Sequence, residues 1–151
     1  MHKFLLSLGI LSYTTAASAA DNHLVVTGPN DIHWVASKLY PNGTVFSLLT
    51  GDPAQSGLYS SRFRIPANTR VGPHSHRMVT TGVVITGKYW IGEGEKFDPS
   101  NGKEMQAGAF WAVPARRVYY TWTGPEEAVI EVTSMGPATF DYVDPADDPR
   151  R

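Results

Sequence analysis

The chain has no cysteine. Disulfides, thiolate catalysis and cysteine-based zinc or iron–sulfur sites are therefore excluded. Stability must come from burial and hydrogen bonding, with a bound metal as the one further source. No stretch carries a helical hydrophobic period, which argues against a helical bundle or an α/β fold. Basic residues are not gathered into runs, and 13 Lys and Arg face 14 Asp and Glu for a net charge of −1. A nucleic-acid partner is not expected from that distribution. Beyond the N-terminus there is no apolar run long enough to cross a bilayer.

The N-terminus has a short apolar run. His2 and Lys3 precede "FLLSLGIL" (Phe4–Leu11), and "AASAA" then offers small residues for cleavage after Ala19 or Ala20. The pattern reads as an export signal over residues 1–20. A membrane anchor is the alternative, and the small-residue run at the right distance argues against it. The expected mature chain, 21–151, is then secreted or periplasmic, free of the membrane, and loses only Lys3 among its charges. It is long enough to bury one core, so a single domain is expected. Export permits disulfides, and this chain does without them.

The mature chain consists of short runs rich in Val, Ile, Thr, Tyr, Phe and Trp, bounded by Gly and Pro. "VFSLLTGD" (Val45–Asp52), "YSSRFRIP" (Tyr59–Pro66), "EAVIEVTSMG" (Glu127–Gly136) and "ATFDYV" (Ala138–Val143) read as strands. "VTTGVVITGKYWIGEGE" (Val79–Glu95) reads as two strands joined near Gly87, and "GAFWAVPARRVYYTW" (Gly108–Trp122) as two with a turn at Pro114–Arg117. "DPSNGKEM" (Asp98–Met105) reads as a polar turn region, and "DPADDPRR" as a polar surface tail. Turn signals recur roughly every 8–12 residues, which points to an all-β sandwich or barrel.

His74 and His76 stand two apart in "GPHSHRMVTTG". On an extended strand that spacing puts both imidazoles on one face. Two imidazoles suggest a divalent metal, which needs a third and usually a fourth ligand. If both face inward, parity carries that face to Met78 and Thr80. The later strand contributes either Tyr119 and Thr121 or Tyr120 and Trp122, and both registers stand open.

At these residues the chain resembles a cupin. The first cupin motif places H-x-H before a glutamate and a closing glycine, and His74-Ser75-His76 and Gly87 match it. Gly108 and Pro114 match the spacing of the second motif. Gly51-Asp52-Pro53, "GEGEKFD" (Gly92–Asp98), Gly136-Pro137 and "YVDPADDPR" (Tyr142–Arg150) resemble small, secreted single-domain bacterial cupins. The resemblance implies an antiparallel β-barrel of jelly-roll type with a short N-terminal arm, a small-molecule cavity and a homodimer. It also implies a metal site of three histidines and one glutamate, from which this chain departs. The glutamate slot holds Thr80, the second-motif histidine slot holds Tyr119, and a glycine slot holds Arg116.

His74 and His76 are thus the expected partial ligands of a zinc, iron, manganese or nickel ion; the other reading is an ion-free polar remnant. Tyr119 is a candidate third ligand, with Glu131 as another, or the group that transfers a proton. Thr80, Arg62, Tyr120 and Glu131 are candidate substrate contacts. Arg62 and Arg64 share a face, which points inward to hold a carboxylate or outward to solvent. Glu131 has the same two options. The leading expectation is metal-assisted chemistry on a small organic substrate. Its rival is a non-catalytic ligand-binding or structural dimer that has lost its metal site.

Overall fold

A computed structural model describes residues 24–41 and 43–151. The expected export signal, residues 1–20, lies outside them. Eleven strands follow in chain order: β1 (Val35–Ala36), β2 (Val45–Thr50), β3 (Gly57–Ile65), β4 (Arg70–Ser75), β5 (Thr80–Thr86), β6 (Lys88–Glu93), β7 (Gly102–Gln106), β8 (Phe110–Val113), β9 (Tyr119–Thr123), β10 (Ala128–Gly136) and β11 (Asp141–Tyr142). Two short 3-10 turns, Pro99–Asn101 and Pro145–Asp147, complete the elements.

The strands form two antiparallel sheets, ordered β1-β2-β3-β10-β5-β8 and β11-β4-β9-β6-β7. The all-β, jelly-roll expectation holds, with one difference: the sheets face each other without closing into a continuous barrel. Each sheet keeps two edges, and clefts open between them.

Alternation decides which side chains meet between the sheets. β10 buries Ala128, Ile130, Val132 and Ser134 and leaves the residues between them less buried. These pair with Ile65, Phe63, Ser61 and Tyr59 of β3, which fixes the inward face of that strand. Val71, Val84, Tyr89, Trp111 and Val113 close the core. Each such side chain contributes on the order of 1.5–3 kcal/mol by leaving water. A Cβ at Gly82 would collide with the indole of Trp111, so glycine there is what lets Trp111 lie across the sheet.

One local expectation is corrected. Gly102–Gln106 is a strand paired to β6, where the polar sequence reads as turn. It is a sheet edge with only Met105 buried, so its composition carries no hydrophobic alternation to read. The C-terminal tail lies on the surface as expected and is held there by hydrogen bonds. Asp147 accepts two hydrogen bonds from Arg70 of β4 at 3.3 and 3.2 Å, and Arg150 donates to the Phe140 carbonyl at 3.0 Å.

Candidate functional site

The two histidines lie where β4 leaves its sheet. His74 pairs with Tyr119 of β9 on one side and Tyr142 of β11 on the other. His76 lies just past the end of β4, and its carbonyl accepts a 2.7 Å hydrogen bond from the Arg116 amide. Arg116 takes a φ of 63°, a conformation glycine adopts freely. That explains why the cupin pattern has glycine in this slot. The β8–β9 turn thus holds the backbone of His76 in place.

Both rings are set in the same tautomer. His74 Nδ1 lies 2.8 Å from the Gly72 carbonyl, and His76 Nδ1 lies 2.6 Å from the Thr139 carbonyl. A carbonyl only accepts, so in each neutral ring Nδ1 carries the hydrogen and Nε2 the lone pair. Tyr119 Oη is 3.0 Å from His76 Nε2 and must therefore be the donor. His74 Nε2 is buried without a hydrogen-bond partner among the described residues. The His74 ring stacks on Phe140 at 4.2 Å and 13°, with the Tyr119 ring 4.3 Å away on a tilt.

Burial sets the charge states. It pushes His74 down to about 3, with nearby His76 adding to the effect. Burial also lowers His76, against an opposing pull from the Thr139 carbonyl and the Asp141 carboxylate. The Tyr119 phenol is pushed well up by burial. At neutral pH the group is two neutral imidazoles and one un-ionised phenol.

His76 and Thr80 line a cavity of about 640 Å³ on the β1–β3 side of the sandwich. Its walls are largely apolar, with Tyr40, Phe46, Tyr59, Phe63 and Phe140 among them, and Lys38, Asp141 and Arg150 also border it. Tyr119 lines a more polar cleft of about 910 Å³ at the β7–β8 side, so its bond to His76 lies between the two openings.

The structure brings His74, His76, Tyr119 and Thr80 to one region, and it separates the other candidates from it. Tyr120 is fully buried on the opposite face of β9, where its hydroxyl donates to the Asp98 carbonyl at 2.9 Å. Of the two open registers, Tyr119 with Thr121 is the inward one, and Thr121 accepts from Tyr89 at 2.6 Å. Arg62 and Glu131 face each other on the outer side of the larger sheet and form an ion pair at 2.6 Å. Neither lines the cavity. Tyr120, Arg62 and Glu131, expected as substrate contacts, therefore lie away from this cavity. Alternation with Phe63 and Ile65 already excludes Arg62 from the inward face, once that face is known.

Sequence reasoning missed Tyr40, Ser61, Thr139 and Phe140. Ser61 shares parity with Phe63, which is a usable signal. Tyr40 and Thr139 come from irregular segments outside the strands, where periodicity says nothing.

A resident metal, which this kind of site implies, is tested by the donors. The carbonyl-held Nδ1 groups suit ligating histidines, and the lone Nε2 of His74 suits a third party. The count falls short, however. Among the described residues no group of three His, Asp, Glu or Cys side chains converges. The third donor is a phenol whose burial opposes ionisation. Among the described residues, the side chains around His74 and His76 do not supply a full set of metal donors.

No protein-family model matches the chain, and no curated protein matches it. Solved structures do. The polyketide cyclase RemF from Streptomyces resistomycificus is 16% identical, covers 85% of this chain and 91% of its own, and superposes with a TM-score of 0.68. A sugar phosphate isomerase of the cupin superfamily from Silicibacter pomeroyi is 15% identical over 78% of this chain and 80% of its own, with a TM-score of 0.60. An RmlC-like cupin from Shewanella frigidimarina is 15% identical over 72% and 87%, with a TM-score of 0.56. At these identities the likeness is one of fold.

Proposed function

We propose, starting from the cupin fold of this chain, that it is an exported protein whose cavity binds a small organic molecule and exchanges a proton with it. The observation that carries this reading is that His76, which lines the cavity, is hydrogen-bonded to Tyr119 between the two openings. The cavity volume lies within the usual range for small-molecule sites. Structures of this fold include a cyclase and an isomerase, so the fold supports conversion of small molecules. Fold alone names no reaction, and the chemistry here rests on the pair itself.

Neutral His76 is a base, and protonated Tyr119 is a donor. For a ligand with a C–H next to a carbonyl, His76 Nε2 takes the proton as the C–H bond breaks. The Tyr119 hydroxyl turns from Nε2 to the oxygen on which negative charge develops. The imidazolium that forms keeps its Nδ1–H on Thr139, and the Asp141 charge favours it. Return of the proton to carbon or oxygen closes the cycle. No metal enters these steps. Thr80 provides a further hydroxyl at the cavity wall. The protein acts as a homodimer in this reading.

The test is deuterium exchange at the α-carbons of 2-tetralone in D2O, followed by proton NMR. Exchange should exceed the buffer rate, and Tyr119→Phe and His76→Gln should each remove most of the excess. No acceleration by a folded wild-type protein sinks the catalytic reading. Binding without exchange would favour a ligand-binding module.

A further inference from the structure

Three sequence motifs, Gly51-Asp52-Pro53, His74-Ser75-His76 and Gly136-Pro137, meet at one place in the fold. The Ala138 amide donates to the Pro53 carbonyl at 2.7 Å. The next residue, Thr139, holds the end of the histidine motif by two bonds. Its carbonyl takes the His76 Nδ1 hydrogen at 2.6 Å, and its Oγ1 accepts from the Arg77 amide at 2.8 Å. One residue thus grips both the His76 ring and the backbone that follows it.

The Pro53 side of this contact is itself fixed. Asp52 Oδ1 accepts from the Ala54 amide at 2.8 Å, and the Gln55 amide donates to the Asp52 carbonyl at 3.1 Å. Gly51 has a φ of 74°, and a Cβ there would collide with the Leu58 carbonyl. A Cβ at Gly136 would collide with the Gln55 carbonyl, so the two segments lie in close backbone contact. A continuous series of contacts therefore runs from the Asp52 turn through Ala138 and Thr139 to His76.

The ring needs that support. A neutral imidazole takes a proton only on the nitrogen without a hydrogen, and the hydrogen bond at the other nitrogen decides which one that is. With the Thr139 carbonyl displaced, the hydrogen is free to sit on Nε2, and the Tyr119 hydroxyl loses its acceptor. Thr139 cannot turn its carbonyl away while its own side chain is tied to the Arg77 amide.

We infer that Thr139 is the positioning residue for His76, and that the Gly51–Gln55 turn is its support. This rests on His76 being the base, as proposed above, and adds the residues that hold it in the competent tautomer. It also gives a role to the two glycine-containing motifs, which contribute no side chain to the proton transfer.

The experiment is long-range proton–nitrogen NMR of the imidazoles at neutral pH, alongside 2-tetralone exchange, with His76→Gln assigning the signal. Wild-type His76 should be a single Nδ1–H tautomer. Thr139→Val keeps the shape and removes Oγ1. It should give a mixture of tautomers and cut the excess exchange by on the order of five- to tenfold. Thr139→Ser keeps the hydroxyl and should return the single tautomer, and Asp52→Ala should loosen it as Thr139→Val does. His74 is held by the Gly72 carbonyl instead and should keep its tautomer in every variant, which separates positioning from general loosening. A folded Thr139→Val protein with the wild-type tautomer overturns the inference. So does an equal change at His74 and His76, or a Thr139→Ser protein that behaves like Thr139→Val. A folded Asp52→Ala protein with the wild-type tautomer overturns the part given to the turn. The tautomer is read without turnover, so a wild-type protein that exchanges no proton counts against the base alone, and the tautomers still decide the role of Thr139.

Discussion

Acid should destabilise this protein well above the range in which carboxylates titrate, and His74 is the reason. Its folded pKa is about 3, against 6.5 for an ordinary histidine. A depressed pKa means that the unfolded chain takes up the proton first. The stability from a neutral His74 is therefore complete above pH 6.5 and is lost as pH falls toward 3. Each unit of pH in that window costs about 1.4 kcal/mol. Between pH 7 and pH 5 the loss is about 2 kcal/mol from His74 alone. His76 is lowered too and adds in the same direction. The phenols packed here, Tyr119 and Tyr142, are pushed up by burial and stay protonated throughout. The check is urea denaturation from pH 7.5 to 5.0, comparing midpoints at constant slope. His74→Gln should flatten most of the dependence, whatever it does to absolute stability. A wild-type midpoint that is flat over this window would refute the reasoning, as would a variant that keeps the full dependence.

Two further outcomes follow from the packing. Gly82→Ala places a methyl against the Trp111 indole and should cost about 1–3 kcal/mol in chemical denaturation, with a shift in tryptophan fluorescence; a neutral substitution would mean that Trp111 does not lie over this strand. Thr80→Glu with Tyr119→His should convert two imidazole donors into four protein donors and tighten zinc binding sharply in calorimetry at neutral pH, whereas the parent binds weakly; a folded double variant no better than the parent would show that these positions do not converge on His74 and His76.

The all-β class, most strand positions and the histidine pair were legible because short alternating runs and turn residues are local signals. Gly87 with φ of 76° and the Pro114–Arg117 turn lie where the sequence places them. β7 was not legible, because an exposed edge strand takes its conformation from pairing with β6 rather than from its own composition. The inward choice of Tyr119 over Tyr120 was also beyond the sequence. Both are aromatic, and a shift of one residue exchanges the faces, so only pairing with His74 and Glu93 decides it.

Glu131 and Arg62 show the same limit from the other side. Each looked suited to a cavity, and the register of β3 against β10 instead puts them opposite each other on the outer face. The sequence by itself determined what the site lacks: no cysteine, no glutamate after the histidine pair, and tyrosine in place of a third histidine. Tertiary structure decided what those substitutions make. The Thr139 carbonyl, 63 residues from His76, fixes its tautomer, and Tyr119, 43 residues away, supplies its donor. Tyr40, Ser61 and Thr80 reach one cavity only because separate strands and an N-terminal segment converge on it. Hydrogen bonds between residues so far apart in the chain have no local pattern, and they exist only once the two sheets face each other.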